Sequence, residues 1–111
     1  MTECYQVTLH SQMGPRTGLL TLERRGNYFT GLLELMGYEN TVQGVQAEDG
    51  NLHLFHPIRT AVHTLLCETV LALQDGHLTG ETTAKACRIR WEGVPLPGGA
   101  PGQAGQEEQR A

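Results

Sequence analysis

The 111-residue chain has little positive charge: eight Lys and Arg stand against twelve Asp and Glu, for a formal net charge of −4. A protein that grips a phosphate backbone needs a basic face, so no nucleic-acid partner is expected. Cysteine is scarce and odd in number, at Cys4, Cys67 and Cys87, with no short C-x-x-C spacing. That argues against a disulfide framework and fits a reducing compartment. The opening MTECYQVTLH has neither a basic nor an apolar leader segment, so no signal peptide is read there. No apolar run approaches the ~18 residues of a membrane span. The absences leave a single cytoplasmic domain with no membrane partner. Its length suffices to bury roughly two-thirds of the unfolded surface in one modest core.

What is present is alternation and turn chemistry. Asp49-Gly50 in QAEDGNLHLFH lies between two alternating runs, with similar signals in ERRGNYFTG upstream and QDGHLTGE downstream. Asp-Gly favours a two-residue loop, because both central residues need positive φ. Taken literally, Asp49-Gly50 sets Val45 against Leu54 and Gln43 against His56. Asp75-Gly76 sets Leu73 against Leu78, Leu71 against Gly80 and Thr69 against Thr82. Arg25-Gly26 sets Leu22 against Phe29 and Leu20 against Gly31. Each choice brings apolar residues together on one face, and a one-residue slip would scatter them. Joined end to end, the hairpins predict eight strands: 4–11, 17–24, 28–36, 40–48, 51–56, 61–74, 77–85 and 86–93. Composition shifts at Val94, and PLPGGAPGQAGQEEQRA has almost nothing to bury. Residues 1–94 are therefore expected to form one domain and 95–111 a disordered tail.

Eight short strands with one apolar face can close on themselves, which removes the unpaired edges of a flat sheet. The fold expected is an all-β, eight-stranded antiparallel meander barrel, with a two-sheet sandwich as its competitor. The hairpins from Cys4 to Gly93 resemble a small bacterial lipocalin-like (calycin) up-and-down barrel. That resemblance implies a small-molecule binder. The Gly-x-Trp of a lipocalin's first strand is absent and the single tryptophan, Trp91, falls on the last strand, so no binding residue is carried over.

Parity places a mixed set of side chains inside: Tyr5, Val7, Leu9, Phe29, Ile89 and Trp91, with polar Thr41, Gln43, His56, His63, Cys67, Thr69 and Thr82 among them. A loop at Pro57–Thr60 would bring His63 diagonal to His56, roughly 7–8 Å apart at Cα, with Gln43 across from His56. These groups could hydrogen-bond a carboxylate or carbonyl. Two histidines could also begin a metal site, but zinc wants three or four ligands, and histidines at a barrel mouth are usually just hydrated. No metal or other cofactor is expected. Cys67 and Cys87 have no helix N-terminus or cation beside them to make a nucleophile, and read as small buried residues. Inward Gly18, Gly31 and Gly80 either open a cavity or relieve crowding where strands bend.

The candidate ligand-binding residues are thus Gln43, His56, His63, Thr69, Thr82, Trp91 and Phe29. The run AVHTLLCETVLAL is apolar on both faces, and outward Phe55, Val62, Leu66 and Val70 form a candidate self-association stripe. The leading reading is a non-enzymatic barrel that binds a small, largely apolar molecule and forms a homodimer. The alternatives are a filled barrel acting as a structural or interaction module, and an enzyme using His56 or His63 as a base.

Overall fold

A computed structural model describes residues 2–85 and 87–96. The chain forms eight strands: β1 Thr2–Ser11, β2 Gly14–Arg25, β3 Tyr28–Leu35, β4 Tyr38–Gln46, β5 Leu52–Arg59, β6 Thr64–Gln74, β7 His77–Ala84 and β8 Cys87–Pro95. Each pairs antiparallel with the next, and β8 returns to β1, closing an eight-stranded meander barrel. The sandwich is thereby excluded. Strand β8 runs on through Pro95, and the Leu96 N–H donates to the Cys4 carbonyl at 3.0 Å. Pro95 thus belongs to β8, and the rest of the expected tail lies outside the described residues. No helix among the described residues is long and apolar enough to cross a membrane.

The turns decide how well the alternation translates into register. At Asp75-Gly76 both residues have positive φ, 54° and 80°, and the expected pairs Leu73↔Leu78, Leu71↔Gly80 and Thr69↔Thr82 form. The second hairpin turns at Gly26-Asn27 instead of Arg25-Gly26. Gly26 takes the positive φ at the first loop position, so Arg25 is not forced into it. Leu20 then meets Leu33 and Leu22 meets Gly31, a slip of two residues that leaves every side chain on its expected face.

The Asp49-Gly50 turn departs further. Its loop has three residues, Glu48 to Gly50. The Gly50 N–H closes a turn onto the Ala47 carbonyl at 2.9 Å, and the Ala47 N–H reaches the Asn51 carbonyl at 2.9 Å. Asp49 Oδ1 accepts from the Asn51 N–H at 2.9 Å, and Gly50 takes φ 90°. An odd loop shifts the pairing by one, so Leu54 faces Gly44 and Val45 faces His53. Leu54 is buried, whereas Val45 is 38% exposed. The expected inward face of β4 is therefore inverted: Asn40, Val42 and Gly44 look in, and Thr41, Gln43 and Val45 look out.

The β5–β6 loop also moves, to Thr60–His63 from the expected Pro57–Thr60. The Thr60 hydroxyl accepts from the His63 and Val62 N–H groups at 3.1 and 3.3 Å, and the Thr60 N–H donates to the His63 carbonyl at 2.8 Å. The hydroxyl supplies the local turn that was expected of the proline. Strand β5 then runs through Pro57, and His56 faces Cys67. Pro57 is tolerated because the β4–β5 ladder ends at Gln43↔Phe55. Beyond it, fully buried Asn40 stitches the seam: its Nδ2 donates to the Leu33 carbonyl at 3.0 Å, and its Oδ1 accepts from the Arg59 N–H at 3.0 Å.

Candidate functional site

The inner faces of β5 to β8 carry a polar thread through an apolar core. Trp91 Nε1 donates to Thr82 Oγ1 at 2.6 Å, the Thr82 and Thr69 hydroxyls bond to each other, and Thr69 lies 2.6 Å from His56 Nε2. His56 Nδ1 lies 3.1 Å from the Pro57 carbonyl. An indole N–H can only donate and a carbonyl can only accept. The neutral thread therefore has one direction: Trp91 to Thr82, to Thr69, to His56 Nε2, with Nδ1–H donating to Pro57. His56 also packs edge-on against Trp91, with centroids 5.9 Å apart. Every polar group in the thread has a partner. This network is a satisfied core element, and it offers no spare donor to a ligand.

Burial holds His56 below the ordinary histidine pKa, outweighing the Pro57 carbonyl bond that favours the cation. The unfolded imidazole titrates near 6.5. Above that pH both states are neutral and the thread contributes fully. Below it the unfolded chain binds a proton that the folded chain resists. Stability is thus expected to fall as the pH drops from about 6.5, by up to ~1.4 kcal/mol per pH unit from this group. Urea melts between pH 7.5 and 5.5 measure it. His56→Gln should flatten the slope, and an unchanged slope would remove His56 as its source.

The candidate residues separate into three groups. His56, Thr69, Thr82 and Trp91 come together and are all buried. Phe29 is also inside, but it lies under Arg24, whose guanidinium carbon sits 4.5 Å from the ring centroid. Gln43 and His63 do not join them. Gln43 follows the inverted face of β4 and lies exposed on the outer wall, in a groove with Thr41, Phe55, Pro57 and Leu66. His63 sits exposed in the β5–β6 loop, so the diagonal His56–His63 pair does not exist.

The inward glycines relieve crowding and open no cavity. A Cβ on Gly18, Gly31 or Gly80 would lie 2.3, 1.8 or 2.0 Å from a carbonyl oxygen of the neighbouring strand. The lumen is filled instead by Trp91, Phe29 and a set of buried leucines. Cys67 is a thiol: burial, helped by the nearby Cys87, pushes its pKa up to about 11. Among the described residues no three His, Cys, Asp or Glu side chains gather as a metal site.

Open space lies at the barrel mouth. A cavity of about 360 Å³ is floored by buried Leu9, Leu35 and Ile58 with half-buried Ile89, and rimmed by Met13, Met36, Val62 and His63. Its polar lining is Ser11, Thr60, Arg16 and His63, with no carboxylate. The Ser11 hydroxyl is engaged by the Gly14 carbonyl at 2.8 Å, and Thr60 by its own turn. Sequence reasoning found Leu9 and Ile89 as inward residues but missed Arg16, because it began β2 at Thr17. One more step of the same parity, Arg16 before Gly18, Leu20 and Leu22, would have found it.

On the outer wall Phe55 is 47% exposed and Leu66 82% exposed, with Val70 half-buried beside them. Val62 is 83% exposed but belongs to the mouth loop rather than to the strand.

No family model and no curated protein matches the sequence. Among solved structures, the chain is similar to a redesigned β-barrel, mFAP1, bound to DFHBI, with a TM-score of 0.61 and 12% identity over 84% of this chain and 91% of that one. It is likewise similar to mFAP0 bound to DFHBI, with a TM-score of 0.57 and 13% identity over 81% of this chain and 91% of that one. At such identities the likeness is one of fold.

Proposed function

We propose that this barrel is a non-enzymatic binder of a small lipophilic molecule, held at the mouth rather than in the lumen. The observation that carries the reading is the apolar recess of about 360 Å³ over Leu9, Leu35, Ile58 and Ile89. That volume is at the lower end for small-molecule sites, and the lining has their usual make-up of apolar walls with few polar groups. The redesigned β-barrels named above are bound to DFHBI, which supports reading this barrel as a binder of a small molecule. The polar thread takes no part in binding, since its groups already satisfy one another.

The test is a homologous series of linear amphiphiles titrated into the protein, read by the methyl resonances of Ile58 and Ile89. Each buried methylene is worth about 0.8 kcal/mol, so affinity should rise about fourfold per carbon until the recess is full. Ile89→Trp should fill the recess and abolish binding while the melting temperature holds. The absence of saturable shifts at these methyls would sink the proposal.

Self-association is part of the same proposal. Leu66 stands almost fully in solvent opposite Pro57 and diagonal to Phe55, and contiguous exposed apolar side chains are what an interface buries. Leu66→Glu is expected to give a folded monomer where the parent is a dimer, measured by light scattering. An unchanged mass would leave the stripe without that role. The odd number of cysteines, with no short spacing between them, supports a reducing, cytoplasmic setting.

A further inference from the structure

Strand β2 carries an arginine at each end of its inner row: Arg16, Gly18, Leu20, Leu22, Arg24. The register bears out the alignment, with Arg16 opposite buried Leu9 and Arg24 opposite buried Phe29. The two arginines have different surroundings. Arg24 is fully engaged: its Nε donates to Glu3 Oε2 at 3.0 Å, its Nη1 to Gln46 Oε1 at 2.8 Å, and its face covers Phe29. That end of the barrel is closed by a countered charge.

Arg16 has no such counter-charge. Its one hydrogen bond among the described residues runs from Nη1 to the carbonyl of its neighbour Pro15, at 3.1 Å. It forms no ion pair among the described residues. It lines the apolar recess, whose walls hold no Asp or Glu. A guanidinium keeps its charge at any working pH and presents a planar fork that fits a carboxylate with two parallel bonds. The protein as a whole is negative, at −4, so a local cation must offset that field for an anion to dock.

Resting on the mouth-binding reading above, we infer that Arg16 selects for a carboxylate head group, so that the ligand class is a medium-chain lipophilic acid. The tail lies over Leu9, Leu35, Ile58 and Ile89, and the carboxylate meets Arg16 at the rim. The β3–β4 and β5–β6 loops, through Met36 and Val62, cover the first carbons of the tail.

Decanoate, 1-decanol and decyltrimethylammonium, titrated separately into the full chain with the Ile58 and Ile89 methyls as reporters, test the assignment. Decanoate should bind about tenfold more tightly than decanol, and the ammonium more weakly than either. Arg16→Gln should erase the preference for the acid and leave the affinity for decanol in place, and Arg16→Lys should keep part of it. A second measurement needs no variant: the ratio of acid to alcohol affinity in the parent should shrink between about 50 and about 500 mM salt. Equal affinities for acid and alcohol in the parent, or a preference that survives Arg16→Gln, would overturn the carboxylate assignment while sparing the mouth site. Binding of none of the three would end both.

Discussion

Gly31→Ala should destabilise the barrel by about 3 kcal/mol or more, because the added methyl has no room and no way round. Its carbon would sit 1.8 Å from the Thr21 carbonyl oxygen and 2.9 Å from the carbon of that carbonyl. Both atoms belong to the neighbouring strand's backbone, which cannot rotate away as a side chain can. Either the β2–β3 ladder opens or Leu22, which pairs with Gly31, moves in a core packed as tightly as a crystal. A domain of this size loses roughly 4–8 °C per kcal/mol, so the melting temperature should drop by at least about 12 °C. Gly26→Ala is the control. Gly26 has φ 62°, and a methyl added there would meet nothing within 4 Å, so only the backbone cost of holding a side-chain-bearing residue at positive φ remains. Equal losses in the two variants would show that close approach of the strands is not why position 31 is glycine.

The second large effect is expected at Asn40. Its amide joins the Leu33 carbonyl on β3 to the Arg59 N–H on β5, across the stretch where the β4–β5 ladder has stopped. Asn40→Ala removes both bonds and strands two backbone groups beside an already unpaired seam. An orphaned buried polar group costs about 1–3 kcal/mol, and water can reach the Arg59 side in part, so a loss of about 2–3 kcal/mol is expected. Amide exchange locates it. The Arg59 amide should lose protection while the amides of Val45 and His53, which face each other in the surviving β4–β5 ladder, keep theirs. A stability change within about 0.5 kcal/mol would mean that the amide does not hold the seam.

Closure and strand number are legible in the sequence because eight alternating runs between turn signals admit few other solutions, and because parity is robust to an even error. The Gly26-Asn27 turn shows this: the loop moves, the pairs change by two, and Leu20 and Leu22 stay inside. Parity fails for an odd loop. Whether Asp49-Gly50 closes two residues or three depends on whether Asp49 turns φ positive or caps the Asn51 N–H, and both are ordinary aspartate behaviour. Composition does not distinguish them, so alternation alone inverts β4 and puts Gln43 in the lumen. Pro57 misleads in the opposite sense. A proline usually marks a loop, but here a neighbouring strand that has stopped pairing leaves it no hydrogen bond to miss. The mouth recess is the least visible part. Its rim is drawn from three separate loops, through Met13, Met36 and Val62, and no local pattern announces that convergence.

Those even slips give the Trp91–Thr82–Thr69–His56 thread a further meaning. Greasy side chains cannot tell a correct pairing from one displaced by two, since both satisfy the pleat. A relay of hydroxyls with a fixed sense can. Sliding β6 or β7 by two positions would pull a hydroxyl out of line, and sliding β8 the indole N–H, leaving a polar group facing hydrocarbon at a penalty apolar packing does not offset. Four polar side chains in the middle of the barrel thus serve as a proofreading key for half its wall.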